Sequence, residues 1–256
     1  MLVDDLIAVH EEAREIAPFS ERYPGLTPKA GYAAARALHQ HRVARGWKPL
    51  GRKIGFTNRT LWPRYGVYEP MWGMVYDRTF IDAPQGRSTV SLAGLVNPRI
   101  EPEICFGLKA SPRAEDVLNA IDWLAHSIEI VQCHHPGWKV TIADCTADNG
   151  LHGRLVVGPR RQVMGNLEQT LPEVEAVLFK GETLVDRGVG ANVLGSPLIA
   201  LRYLVELLER DGAPPLAPGE VVTTGVITDA HPVAREERWR TQICGLPLPG
   251  LEITFA

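Results

Sequence analysis

The chain has no long hydrophobic run, no surplus of positive charge and no paired cysteine motif, and each absence removes a class of function. No window approaches the roughly eighteen uninterrupted apolar residues of a membrane-spanning helix. Met1-Leu2-Val3-Asp4-Asp5 is acidic where a secretory signal would be basic, so the expectation is a soluble cytoplasmic protein with no membrane partner. A formal net charge of -3 offers no basic face to nucleic acid. Cys105, Cys133, Cys145 and Cys244 lie far apart without a Cys-x-x-Cys spacing, which points to neither a zinc site nor a redox pair and leaves them reduced and largely buried. Internal repeats, low-complexity segments and disordered linkers are missing too. What is present is 256 residues, 45% hydrophobic and 22% charged, enough for one large globular domain or a domain with a small appendage.

The texture divides near residue 49. Before it, apolar spacing predicts a helix over residues 4–17, ended by Pro18, and a second running from the N-cap Thr27 and Pro28 to Gly46. Residues 1–48 thus read as a helical segment, in which His10, His39 and His41 are surface or packing residues. Residues 49–256 read as a β-rich catalytic domain with inserted helices, giving an α+β class. Strands are expected at Arg52 to Phe56, Gly73 to Asp77 and Val221 to Gly225, with two more closing at Phe255. Helices are expected from Ser111-Pro112 to about Glu129, on Val117, Ile121, Leu124, Ala125 and Ile128, and from Ser196-Pro197 to Gly212. Residues 57–72, with Trp62, Tyr65, Tyr68 and Trp72, are long for a passive connection and read as a flap over a site. His134 and His135, before Pro136-Gly137, read as a solvated turn.

Asn97 to Leu108 places Glu101 and Glu103 inside an otherwise apolar strand. Residues two apart share a strand face, and two like charges there repel unless something neutralises them. A hard divalent cation would do so with oxygen ligands. An edge strand carrying solvated glutamates is the alternative, and Pro102, which cannot donate to a ladder, favours an edge or a bulge. Glu129, between Ile128 and Ile130, is equally out of place, and residues 138–157 gather Lys139, Asp144, Asp148, Asn149, His152 and Arg154 among apolar neighbours.

Taken in order, Gly51-Arg52-Lys53-Ile54-Gly55-Phe56-Thr57, Gly73 to Asp77, Ile100-Glu101-Pro102-Glu103-Ile104, Ile128-Glu129-Ile130-Val131, Trp138-Lys139 through Asp148-Asn149, and Thr223-Thr224-Gly225 resemble the 2-keto-4-pentenoate hydratase and 4-oxalocrotonate decarboxylase family of the fumarylacetoacetate hydrolase superfamily, over nearly the whole chain. The resemblance implies a mixed β-rich fold with an N-terminal helical segment, a Mg2+ or Mn2+ cofactor, a small-molecule 2-oxo acid or dienol substrate, and a homo-oligomer. It implies that Glu101, Glu103 and Glu129 are metal ligands, that Lys53 and Asp77 are catalytic, and that Lys139, His152, Gly225 and Thr228 bind substrate. Its leading activity is hydration of a 2-hydroxy-2,4-dienoate to a 4-hydroxy-2-oxo acid in aromatic-compound catabolism. The alternatives are decarboxylation of a 2-oxo dioic acid, acylpyruvate carbon-carbon hydrolysis with His152 as base, and, from another class, a non-catalytic metal and 2-oxo acid binder. The chain departs from the family at Gly150-Leu151-His152, where Ala-Ser-Ser is common, and at Val226, where a serine is common.

Overall fold

The computed structural model describes residues 1–163 and 165–256. Three helices lead it. In α1 (Leu2–Glu12), Asp4 and Asp5 sit in the first turn, where carboxylates meet the positive end of the helix dipole. The helix stops short of Ala17 because Ala13 turns left-handed, φ 49°. After the single turn α2 (Phe19–Arg22), α3 (Pro28–Ala44) starts as its sequence specifies. Thr27 Oγ1 accepts from Ala30 N at 3.2 Å, and Pro28 takes the first helical position.

The strands that follow are β1 (Pro49–Gly55), β2 (Met71–Tyr76), β3 (Phe80–Asp82), β4 (Arg87–Val90), β5 (Arg99–Leu108), β6 (Ile121–Val131) and β7 (His152–Val157). After them come β8 (Arg161–Gln162), β9 (Glu175–Lys180), β10 (Thr183–Val189), β11 (Val221–Thr223), β12 (His231–Pro232), β13 (Arg238–Cys244) and β14 (Glu252–Phe255). Four helices are inserted: α4 (Trp62–Tyr65), α5 (Ile142–Ala147), α6 (Leu167–Glu173) and α7 (Pro197–Arg210). Among the described residues, nine strands make one sheet in the order β2-β1-β11-β5-β6-β7-β3, with β12 beside β5 and β8 beside β6. The order β10-β9-β13-β14-β4 makes the other sheet. One core lies where Leu201, Leu204 and Leu208 of α7 meet Ile104, Phe106 and Leu124. A second joins the sheets, with Ile100, Ile128 and Ile130 against Trp239, Ile253 and Phe255.

Two expectations are overturned at the centre of the larger sheet. The helix expected from Ser111 to Glu129 is instead a turn and the strand β6, paired with β5 from Arg99↔Val131 to Leu108↔Ile121. Its apolar positions fit a helical period, but β6 is buried on both faces between β5 and β7, and a strand buried on both faces needs no alternation of its own. Pro102 lies in that interior rather than at an edge. The neighbouring strand is interrupted beside it, between β11 and β12, where Ile227 N donates to Pro102 O at 2.9 Å, so no ladder bond is demanded of the missing N–H.

His134 and His135 are fully buried rather than solvated, and His10 is buried with them. Arg42 Nη2 donates to His10 Nδ1 at 3.1 Å, which puts the His10 proton on Nε2, 2.8 Å from Asp148 Oδ1. His134 Nδ1 donates to Asp148 Oδ2 at 2.8 Å. Burial alone would raise the Asp148 carboxyl, but the two imidazoles hold it below the usual carboxylate range. Although the three groups are close enough to ligate a cation, the proton on His10 Nε2 and the adjacent guanidinium make them a structural lock between α1, α3 and the segment after β6. Cys244 is exposed, and the other three cysteines are buried.

Candidate active site

Glu101 and Glu103 project from one face of β5, and Glu129 stands directly across the ladder from Glu101. Each offers an oxygen within 4.8 Å of the others. Glu103 Oε2 accepts from Gly225 N at 2.9 Å and from the Thr223 hydroxyl. Glu129 Oε1 accepts from His152 Nδ1 at 2.7 Å. The remaining oxygens, Glu103 Oε1 and Glu129 Oε2, are buried without a hydrogen bond. Burial pushes all three carboxyls above their usual range, Glu103 to about 8; Lys53 opposes the shift in each, and repulsion between carboxylates adds to it at Glu101 and Glu103. Buried acceptors aimed at one point with a single cation nearby form a donor set of hard oxygens suited to a divalent ion.

That single cation is Lys53, on β1. Its Nζ lies 3.3 Å from Glu129 Oε2 and donates to Gly150 O at 2.9 Å. Burial opposes its charge, but the three glutamates outweigh burial and hold its pKa above the ordinary value. Glycine makes the room: a Cβ on Gly55 would stand 2.7 Å from Lys53 Nζ, and one on Gly73 would stand 2.1 Å from Asn149 O. Asn149 is fixed in turn, its side chain accepting from Met74 N at 2.9 Å and donating to Met74 O at 3.0 Å.

Lys53 and Glu101 line a partly open cavity. Its apolar walls are Phe56, Leu61, Met71, Val131, Leu151 and Val226. Leu61 and Tyr65 come from the segment expected as a flap, which folds into a 3-10 turn and α4 and is pinned by Trp62 Nε1 donating to Phe56 O at 2.8 Å. Trp72 faces the opposite side of the sheet, and Tyr68 is exposed. Outside lies a polar vestibule of Arg64, Tyr65, Arg99, Trp138 and Lys139, where Arg99 Nη1 donates to Tyr65 Oη at 2.7 Å and stacks 4.3 Å above the Trp138 ring.

The structure brings together Lys53, Glu101, Glu103 and Glu129, with Gly225 bound to the back of Glu103. It does not bring Asp77 to them. Asp77 is exposed in the turn after β2, at the far end of that strand from Gly73, the partner of Lys53, and its carboxylate accepts from Lys48 N and Arg78 N. Alternation along the strand could not have shown that Asp77 lies past its end. His152 lies behind the site rather than in the cavity, with Nδ1 on Glu129 and Nε2 2.9 Å from Thr79 Oγ1. Thr228 is buried with its hydroxyl on Asp229 O, outside the cavity wall. Lys139 is exposed in the vestibule. Sequence reasoning missed the supports, Thr223, Thr79 and Asn149, and the vestibule pair Tyr65 and Arg99. Thr223 and Asn149 carried a signal as parts of ordered motifs, and Tyr65 as part of the expected flap, but none of the three was given its role.

No protein-family model matches the chain. The fold is shared with a fumarylpyruvate hydrolase from Pseudomonas aeruginosa, solved with Mn2+ and pyruvate, which superposes with a TM-score of 0.61 at 14% identity over 80% of this chain and 88% of its own. A 4-oxalocrotonate decarboxylase from Pseudomonas putida G7, solved with magnesium and adipate, reaches a TM-score of 0.88 at 27% identity over 100% of this chain and 96% of its own. In sequence, 2-keto-4-pentenoate hydratase 1 of Dechloromonas aromatica is 31% identical over 247 residues, 94% of this chain and 91% of its own. The chain belongs to the 2-keto-4-pentenoate hydratase and 4-oxalocrotonate decarboxylase family.

Proposed function

We propose that the protein is a metal-dependent hydratase that converts a 2-hydroxy-2,4-dienoate, through its 2-oxo-3-alkenoate, to a 4-hydroxy-2-oxo acid in aromatic-compound catabolism. The observation that carries this reading is the trio of carboxylates, Glu103 and Glu129 buried and Glu101 half-buried at the cavity, with one oxygen each of Glu103 and Glu129 lacking a hydrogen bond, beside a buried lysine at the head of an apolar cavity. Glu101, Glu103 and Glu129 would hold Mg2+ or Mn2+. A bound ion supplies Lewis-acid polarisation of the 2-oxo and carboxylate oxygens.

The residues of the chain do the rest. Lys53, held as an ammonium, orients the substrate carboxylate and donates or recovers the proton as the 2-hydroxyl proton is lost and C5 is protonated. Water then places its oxygen on C4 and a proton on C3. The apolar walls take the hydrocarbon end and restrict the water that reaches it. Asp77 has no part in this scheme because of its position. Thr228 and His152 act on the shape of the site rather than on substrate, and Lys139 meets only a substrate long enough to reach the vestibule.

The second reading is decarboxylation of a 2-oxo dioic acid. Arg99 and Lys139 favour it, as cations at the cavity mouth suited to a distal carboxylate, and so does the likeness to a decarboxylase solved with the dianion adipate. Acylpyruvate hydrolysis loses its base, since both nitrogens of His152 are engaged. The hydratase reading carries with it a cytoplasmic homo-oligomer whose partners are small molecules, not nucleic acid or membrane.

The test follows the ultraviolet absorbance of enzymatically generated 2-hydroxypenta-2,4-dienoate with and without Mg2+, with product identified by mass. Metal-dependent loss with gain of one water, abolished in Glu103→Gln and Lys53→Met and kept within about threefold in Asp77→Asn, is expected. Loss no faster than spontaneous ketonisation would sink the hydratase reading, and carbon dioxide release from 4-oxalocrotonate would then establish the second.

A further inference from the structure

Behind the Lys53 site, on the other face of β1 and β2, lies a second cavity of about 150 Å³ between the sheet and α3. Antiparallel register explains the division. Arg52 pairs with Met74 and Ile54 with Trp72, so these side chains point away from Lys53, Gly55 and Met71. Tyr32, Ala35, Trp72, Met74, Ala213 and Pro214 give the cavity apolar walls, and the Tyr32 and Trp72 rings stack 5.1 Å apart to make a flat one.

Arg36, His39, Gln40, Asn149 and Arg52 are the polar members of the lining, and Arg52 is the buried cation among them. It is 5% exposed, and among the described residues its carboxylate partner is Glu220, reached through Nη1 at 3.3 to 3.4 Å. Its Nε is buried without a hydrogen bond, and among the described residues Nη2 donates to no protein acceptor. Burial outweighs the pull of Glu220 and holds the guanidinium below its ordinary pKa, the mark of a buried charge short of partners. Arg36 adds a second cation at the rim, and among the described residues no carboxylate lines the cavity, although Asp211 Oδ2 accepts from the Trp72 Nε1 of its wall at 3.1 Å. A planar fork with unused donors matches one carboxylate, and the walls beyond it suit an apolar ring rather than a phosphate or a sugar.

We propose that this cavity binds a compact carboxylic acid with an apolar ring, its carboxylate on Arg52 and its ring against Trp72. An occupant would rest on Asn149, which also lines the cavity and precedes the carbonyl that holds Lys53.

The test is calorimetric titration of sodium benzoate into the full chain, kept saturated with Mg2+ and oxalate so that the Lys53 site is filled, with benzamide as the uncharged control. Saturable one-to-one binding of benzoate is expected. Affinity falls about tenfold or more for benzamide and for Arg52→Gln, the scale of one charge-assisted hydrogen bond. Ala35→Phe, which fills the cavity from α3 and leaves Arg52 in place, abolishes binding and serves alone if Arg52→Gln does not fold. Lys53→Met leaves benzoate binding intact. Absence of saturation at ten millimolar benzoate would overturn the proposal. So would equal affinity for benzamide, equal affinity in Ala35→Phe, or loss of binding in Lys53→Met, which would place the carboxylate in the other site.

Discussion

Replacing Glu103 by glutamine should make the metal-free protein more stable, although it removes a charged, hydrogen-bonded side chain from the core. Three carboxylate oxygens lie within 4.8 Å of one another. At an effective dielectric of about 20, each pair of charges at that distance repels by about 3 kcal/mol. Glu103 enters two such pairs, and its attraction to Lys53 offsets part of the sum, so a net gain of about 3 kcal/mol is expected, or roughly 6–12 °C in Tm for a chain of this size. Glutamine keeps the shape and an oxygen to accept from Gly225 N and Thr223, so little is lost in return. The sign depends on pH. With its carboxyl raised to about 8 by burial and by Glu129, Glu103 contributes stability that is complete below the unfolded value near 4.5 and is lost as pH rises through 8. The difference between variant and wild type should therefore be small at pH 5 and fully developed at pH 9. Differential scanning fluorimetry in EDTA at both values measures it. With Mg2+ at about 100 times its Kd, the wild type should recover about 2.7 kcal/mol and the variant much less. A Glu103→Gln protein less stable than wild type at pH 9 without metal would refute the reasoning.

Two further outcomes follow from the geometry. His152→Gln breaks the line from Thr79 through His152 to Glu129 and should weaken Mg2+ binding by roughly 10–100-fold, the usual range for an outer-shell partner, with turnover recovering at high Mg2+; unchanged affinity by titration would remove His152 from that role. His10, whose pKa is held down to about 4 by burial and by Arg42, contributes stability present above the unfolded value near 6.5 and lost as pH falls through 4. About 3 kcal/mol should disappear over that range, visible as a falling urea midpoint between pH 7 and 4 that is shallower in His10→Gln. Equal slopes would show that the His10, Asp148 and His134 group does not set the acid limit.

That Glu101, Glu103 and Glu129 are out of place was legible because each broke the apolar pattern of its neighbours, but the pattern also allowed solvated glutamates on an edge strand, and it was the resemblance that grouped the three, which the ladder does bring together. The caps at Thr27 and Ser196 were legible because they are local, with Thr27 Oγ1 and Ser196 Oγ each accepting from the first turn of its helix. β6 was not, because Val117, Ile121, Leu124, Ala125 and Ile128 fit a helical period while the real determinant was burial by strands distant in sequence. His134 and Asp77 failed in opposite senses. His134 precedes Pro136-Gly137 and looked solvated, yet it is drawn inside by Asp148, fourteen positions away. Asp77 followed a strand and looked like part of a site, yet it turns outward to cap Lys48 N. Both outcomes were decided by partners that sequence spacing does not reveal.

The position of the trio also explains where substrate selection must come from. Glu101, Glu103 and Glu129 stand on the longest pairing of the larger sheet, buried on both sides, and Glu103 is tied to β11 and to Gly225 beyond it. Their spacing is thus set by the ladder, which a change of substrate cannot adjust. The same holds for Lys53, confined by Gly55, Gly150 and the neighbouring strand β2. The parts free to vary are Leu61 and Tyr65 from the segment between β1 and β2, Leu151 and Val226 in the cavity wall, and Arg99 and Lys139 at its mouth. On the proposed function, the rigid set would recognise only what every 2-oxo acid has in common. Discrimination between an alkenoate and a dioate therefore depends on whether the far end of the substrate stops among the apolar walls or extends to Arg99, since a carboxylate left among Leu61, Leu151 and Val226 would be buried without a partner, at a cost of several kcal/mol.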